Sequence, residues 1–235
     1  MAPVPAKGAR VLYYAGCMTT LTPTIKRSVV SLLKKAGVDY SLMDEDGTIC
    51  CGRPLMLAGK SAEAEALVKK NTELILASGA DTLLVSCPIC YRVFKEKYKL
   101  EGVRVIHYTE FFNKLLDEGA LVAEVSQQKV VYHDPCELGR GCGIYAEPRE
   151  ALSHVAKLVP AEKEMVESIC CGGSLGSLSL REDQRAAITA KSVDNLMYSH
   201  PEAIVTACPL CLKTYGRSAK VPVKDFAEII DERIK

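Results

Sequence analysis

The sequence predicts an α/β fold of two tandem, pseudo-twofold-related units with mainly parallel sheets and metal clusters at the carboxyl ends of strands. Three observations carry this. The cysteine landmarks repeat: Cys17 and Cys136 lie 119 residues apart, Cys50 and Cys170 120, and the pairs Cys87/Cys208 and Cys90/Cys211 121. A repeat of that length is a domain rather than a solenoid module. Within each copy, short β-prone runs alternate with helical periodicity, the pattern of parallel sheets joined by right-handed crossovers. Apolar content of 48% and charged content of 25% are those of an ordinary soluble globular chain. The units are expected at 1–122 and 123–235, with the polar stretch around 119–128 as the joint.

In chain order, "ARVLYYAG" is a β-prone run ending at Gly16, just before Cys17. Ile25, Val29, Leu33 and Ala36 then recur at helical spacing, and Gly37 supplies a stop. "VDYSLMD" is the next strand candidate. A helix over about 60–78 places Ala64, Leu67, Val68 and Ile75 on one face and ends at Gly79. "DTLLVS" reads as a buried parallel strand running into "CPIC", where Pro88 suits the first helical position. "VRVIHY" and "TEFFNKLLDEGA" close the unit as strand and helix. The second copy offers "KVVYHD", helices near 147–158 and 181–199, "AIVTA", and finally "VPVKDFAEIIDERI".

The cysteines therefore fall where open α/β sheets bind ligands, in the crevice outside the carboxyl ends of strands. Each copy gathers five: one alone, a vicinal pair followed by glycine, and a CxxC. "TICCGRP" and "SICCGGS" cannot be read as disulfides within the vicinal pairs, because bridge geometry requires separated α-carbons. Cys90 and Cys211 fall in a first helical turn, near free N–H groups and the positive dipole end, which stabilise thiolates. Gly52 and Gly172 let the backbone pass close to what the pairs hold. Four thiolates complete a structural zinc site or a cubane iron–sulfur cluster, so a set of five leaves one over. Spacing alone does not choose between zinc and iron, since soft thiolates suit both. Cys142 has no counterpart in the first copy and is not expected to be a principal ligand.

Other function classes are disfavoured. A net charge of +1 gives no field for nucleic acid or an anionic membrane. There is no tryptophan and only 6% aromatic content, which argues against base stacking. No apolar run approaches the roughly 20 residues that span a bilayer, and the N-terminus lacks a secretory core. The expectation is a cytoplasmic protein with no nucleic-acid partner and no direct membrane insertion, any membrane association running through partners. "CCGGSLGSLS" does not match a phosphate loop and reads as a close wrap around a metal centre. His133 is a candidate proton donor at the second site, with a structural hydrogen bond as the simpler reading. His107 has a weaker claim, and His154 and His200 read as helix-surface residues. Arg53, Arg140 and Arg149 are expected mainly in surface salt bridges.

The pattern CxₙCCGxₙCxxC, present twice with all ten cysteines, resembles the cysteine-rich CCG-domain family. That family is best known from two of the subunits of heterodisulfide reductase, its B-type and D-type chains. It also includes components of anaerobic glycerol-3-phosphate dehydrogenase, glycolate oxidase, lactate-utilisation proteins and thiol–fumarate reductase. "YHDPCELGR" is similar to the family's opening of its second unit, with Glu137 replacing the customary histidine. The resemblance implies two noncubane [4Fe–4S] clusters, one held by Cys17, Cys50, Cys51, Cys87 and Cys90. The other would be held by Cys136, Cys170, Cys171, Cys208 and Cys211. It also admits zinc in one unit. It implies a redox subunit that reduces a small disulfide or oxidises a dithiol by one-electron steps. The alternatives are a pure electron-transfer subunit of a 2-hydroxy-acid or glycerol-3-phosphate dehydrogenase, and a zinc-bound scaffold. The ferredoxin-like cysteine runs of some relatives are absent from this sequence. A ferredoxin-type iron–sulfur subunit and a flavoprotein subunit are the implied partners.

Overall fold

A computed structural model describes residues 10–45, 47–173 and 179–235 of the chain. In the first unit β1 (Val11–Tyr14) leads through a 3-10 turn at Cys17–Thr20 into α1 (Pro23–Lys35). Then follow β2 (Tyr40–Leu42), a short α2 (Arg53–Leu57), α3 (Ser61–Ala77), β3 (Thr82–Val85), α4 (Pro88–Lys97), β4 (Arg104–His107) and α5 (Tyr108–Asp117). The second unit repeats the four strands with a different set of helices between the first three: β5 (Lys129–His133), α6 (Gly139–Cys142), α7 (Ala146–Ser153), β6 (Lys157–Leu158), α8 (Glu182–Leu196), β7 (Ala203–Thr206), α9 (Pro209–Tyr215), β8 (Val223–Asp225) and α10 (Phe226–Asp231).

Each unit is a four-stranded parallel sheet, ordered β2-β1-β3-β4 and β6-β5-β7-β8. Both orders reverse direction between the first and third strands of the unit, which is the switch point where doubly wound sheets open a ligand crevice. The central strands β1, β3 and β7 are buried along their whole length, as strands covered on both faces must be. One hydrophobic core runs through both units. It joins Leu12, Leu84 and Phe112 of the first to Val130, Val205 and Phe226 of the second. The last helix of each unit packs on the first long helix of the other, α10 on α1 and α5 on α7. That reciprocal contact is what a twofold relation produces.

Two local expectations change. The helix expected near 147–158 ends at Ser153, because residues 157–158 turn back to pair with β5 as the edge strand β6. That strand is two residues long, too short to carry a period-2 signal. The second departure is α2, which the sequence reading passed over. It starts at Arg53 with Pro54 in its first turn, directly after the left-handed Gly52. The glycine- and serine-rich wrap expected after Cys171 falls largely on residues 174–178, outside the described residues.

Candidate metal centre

The carboxyl ends of the central strands deliver the cysteines. β1 ends three residues before Cys17, and Cys87 is the N-cap of α4 with Pro88 at its first position. β5 and β7 place Cys136 and Cys208 in the same way, and Cys208 caps α9. Cys90 and Cys211 lie one turn into their helices and are buried, as are Cys51, Cys87, Cys171 and Cys208.

Within each unit the five thiols form a continuous row. Cys17 contacts Cys50, Cys50 contacts Cys51, Cys51 contacts Cys90, and Cys90 contacts Cys87. The second unit repeats the row as Cys136, Cys170, Cys171, Cys211 and Cys208, with 3.2 Å between the sulfurs of Cys171 and Cys211. Cys142 stands outside both rows, half-buried on α6. Among the described residues no three His, Cys, Asp or Glu side chains are grouped as ligands of one metal ion.

Hydrogen bonds set which sulfurs ionise. Contact with Cys17, then with Cys51, holds Cys50 down to about 2, and the Gly52 N–H assists from 3.4 Å. Contact with Cys136, then with Cys171, does the same for Cys170, with the Gly172 N–H at 3.5 Å. Cys17 and Cys136, which supply those protons, are pushed up. Cys87 is held low by Cys90 and by the backbone N–H groups of Cys90 and Ile89, despite burial. Both vicinal loops thus offer a thiolate supported by a left-handed glycine, with φ of +94° at Gly52 and +81° at Gly172.

The loop carbonyls are fastened by side chains that the sequence reading missed. Tyr14 donates to the Ile49 carbonyl at 2.9 Å, Asn71 to that of Cys50 at 2.9 Å, and Tyr98 to that of Cys51 at 3.1 Å. In the second unit Ser192 donates to Ile169 at 3.1 Å and Thr189 to Cys171 at 2.8 Å. His133 occupies the place of Tyr14, 119 residues on. Its Nδ1 lies 3.1 Å from the Tyr215 hydroxyl, which in turn meets Ser192 at 2.7 Å. Burial lowers His133 to about 4, so it is a neutral strand-end residue tied into the loop support. One signal was legible: Asn71 is a polar residue four positions from Leu67 and from Ile75, inside the apolar stripe of α3.

The arginines are engaged. Arg149 grips Asp134 through two bonds of 2.6 and 2.7 Å and reaches Glu164 at 3.5 Å. Arg140 donates to the Ser168 and Val166 carbonyls rather than to a carboxylate. Arg53 and Arg92 of the first unit converge on Glu137 of the second, at 3.8 and 3.1 Å. Glu137 also lines a small cleft with Ile89, Leu210 and four cysteines of the second row, Cys136, Cys171, Cys208 and Cys211, so a residue of the first CxxC borders the second thiol set. His107 is buried against Thr109 at 2.8 Å, and His154 meets Asp117 at 3.0 Å on the surface. His200 follows α8 with φ of +49°.

Comparison with known proteins places this arrangement. The chain is 32% identical to the EtfAB:quinone oxidoreductase of Syntrophomonas wolfei, over 97% of this chain and 35% of that protein. It is 30% identical to the D-type chain of the dihydromethanophenazine:CoB–CoM heterodisulfide reductase of Methanosarcina acetivorans, over 97% of this chain and 60% of that relative. The B-type chain of the fumarate reductase (CoM/CoB) of Methanothermobacter marburgensis matches at 28%, over 87% of this chain and 41% of its own length. The chain thus spans between about a third and three-fifths of the length of these relatives. The family model "CCG: Cysteine-rich domain" matches twice, over residues 11–95 and 130–214. Each match encloses one complete five-thiol row, and the chain belongs to the cysteine-rich (CCG) domain family.

Proposed function

We propose that the chain is an iron–sulfur redox subunit whose two thiol rows each hold one cluster, and that it reduces a disulfide or oxidises a dithiol in one-electron steps. The observation that carries this is the pair of continuous five-thiol rows at the switch points of two adjacent sheets. A row of five soft donors exceeds the four that a single tetrahedral ion takes, and suits a centre containing more than one metal atom. Cys17, Cys50, Cys51, Cys87 and Cys90 are the proposed ligands in unit 1–122. Cys136, Cys170, Cys171, Cys208 and Cys211 are those in unit 123–235. A bound cluster supplies one-electron chemistry; the noncubane [4Fe–4S] form is the one that the family resemblance favours.

The protein's own part is holding and charge. The left-handed glycines and the helix N-termini present N–H groups to anionic sulfur, which stabilises a reduced, more negative centre. The carbonyl clamps keep the vicinal loops from following a ligand away. Ile89 of the first unit, with Glu137 and Leu210, borders Cys136, Cys171, Cys208 and Cys211 of the second row, which is where a small disulfide would first meet the thiols. Two of the relatives bear names of reductases that act with CoM and CoB, and by analogy a small thiol or disulfide is the substrate class here. Electrons would come from a ferredoxin-type or flavoprotein partner.

The test is iron, acid-labile sulfide and zinc per anaerobically purified chain, followed by thiol release from disulfides under a one-electron reductant. About eight irons with matching sulfide, as two four-iron clusters require, together with thiol release, is the expected result. Iron without thiol release would leave an electron-transfer subunit. Zinc alone would overturn the redox reading.

A further inference from the structure

A groove of about 680 Å³ lies beside the first thiol row, between α3 and the end of α4. Its floor includes Met56 and Val68, and its rim carries Arg53, Lys69, Lys97 and Lys99 against Glu65 and Glu73. Four cations against two carboxylates is a local excess in a chain whose net charge is only +1. Arg53 is drawn toward Glu137, but the three lysines are exposed. The lysine ion pairs among the described residues belong instead to Lys35, Lys114, Lys224 and Lys235.

The apolar side of the same region is under-covered. α3 fully buries only Ala64, Asn71 and Ile75, while Leu76 and Leu57 are 44% and 45% exposed. The groove borders the loop that carries the first vicinal pair. Met56 Cε sits 3.4 Å from where a Gly52 Cβ would stand, and the Gly52 N–H donates to the Cys50 sulfur. Lys97 and Lys99 flank Tyr98, whose hydroxyl holds the Cys51 carbonyl. A cationic rim around an apolar floor, beside the loop that carries Cys50 and Cys51, complements the charge of an acidic protein surface. Such a rim steers association and raises on-rates by about 10 to 10³ at low salt.

We propose that an acidic one-electron carrier protein docks on this groove and delivers its electron to the centre held by Cys17, Cys50, Cys51, Cys87 and Cys90; this rests on the redox reading above. One electron leaves the reduced centre of the carrier and enters the first-unit centre. The carrier is oxidised by one electron, and no covalent bond forms or breaks.

The experiment follows anaerobic reduction of the metal-loaded chain by visible absorption, with two donors. One is a reduced acidic ferredoxin, and the other is the small radical cation of methyl viologen. The Lys69→Glu/Lys97→Glu/Lys99→Glu variant should lose at least tenfold in its ferredoxin rate, with a flattened salt dependence, and keep its viologen rate. A Lys157→Glu/Lys163→Glu variant, changed on the other unit, should keep both. An unchanged ferredoxin rate in the triple variant would overturn the docking site while leaving the redox reading intact. If neither donor reduces the unaltered chain, the redox reading itself fails and the docking site falls with it.

Discussion

Gly52 and Gly172 occupy equivalent places after the two vicinal pairs, yet their surroundings differ. Both lie in the left-handed region, where a side chain costs about 1–2 kcal/mol. A Cβ on Gly52 would meet only side-chain tips, Met56 Cε at 3.4 Å and Leu67 Cδ2 at 3.8 Å. On Gly172 it would press to 2.9 Å from both the Arg185 carbonyl and the Thr189 hydroxyl, atoms of α8 that cannot swing aside. Overpacking against such atoms adds about 1–3 kcal/mol. Gly52→Ala should therefore destabilise by about 1–2 kcal/mol and Gly172→Ala by about 2–5 kcal/mol in denaturant unfolding. Equal losses would mean that backbone strain alone governs both positions.

At the scale of elements, α3 and α8 act less as core helices than as clamps on the loops in front of them. α8 buries Thr189, Ser192 and Asn195, and α3 buries Asn71. Asn71 is 2% exposed and donates to both the Cys50 carbonyl and the Tyr98 hydroxyl, at 2.9 and 3.0 Å. Removing that amide leaves buried acceptors short of a donor, at a cost of about 1–3 kcal/mol. Asn71→Ala should accelerate amide hydrogen exchange across residues 49–52 and leave 169–172 unchanged, because Ser192 and Thr189 hold the second loop independently. Matching acceleration in both loops would show that the two clamps are coupled.

Across the whole molecule, the units are joined at the N-termini of α5 and α10. Tyr108 of the first donates to Asp225 of the second at 2.8 Å, and its ring meets Phe226 edge-on at 5.3 Å. Asp225 also caps α10 by accepting from the Ala227 N–H at 2.8 Å. It is fully buried, and burial pushes its carboxyl from 3.8 up to about 8, opposed by the Ala227 bond and then by Tyr108. Tyr13 from β1, Tyr132 from β5 and Glu228 on its own helix share its field. The folded protein thus holds a proton that the unfolded chain releases above about pH 4. This contribution to stability is full below that pH and declines as pH rises toward 8. Asp225→Asn keeps an acceptor for the cap and removes the titration. Between pH 5 and 8 the variant should gain melting temperature relative to the unaltered chain as pH rises. A parallel pH profile in the two proteins would show that Asp225 stays ionised in the fold.

Much of this was legible in the residue order. The repeat of one cysteine, a vicinal pair and a CxxC within two residues of a constant offset implied two copies of one unit. The alternation of strand and helix periods implied parallel sheets, and β1, β3, β5 and β7 stand where those runs were read. Thiols, glycines and strand ends are properties of local sequence, and local geometry places them. The two-residue β6 and the short α2 escaped, because neither is long enough to show a period. What only the tertiary structure decided is which distant side chains meet. Tyr14 on Ile49, Ser192 on Ile169, the arginines on Glu137 and Tyr108 on Asp225 join residues from 23 to 117 positions apart. Their hydrogen-bonding partners are set by how the sheets twist and how the units pack on each other, and no spacing along the chain encodes that.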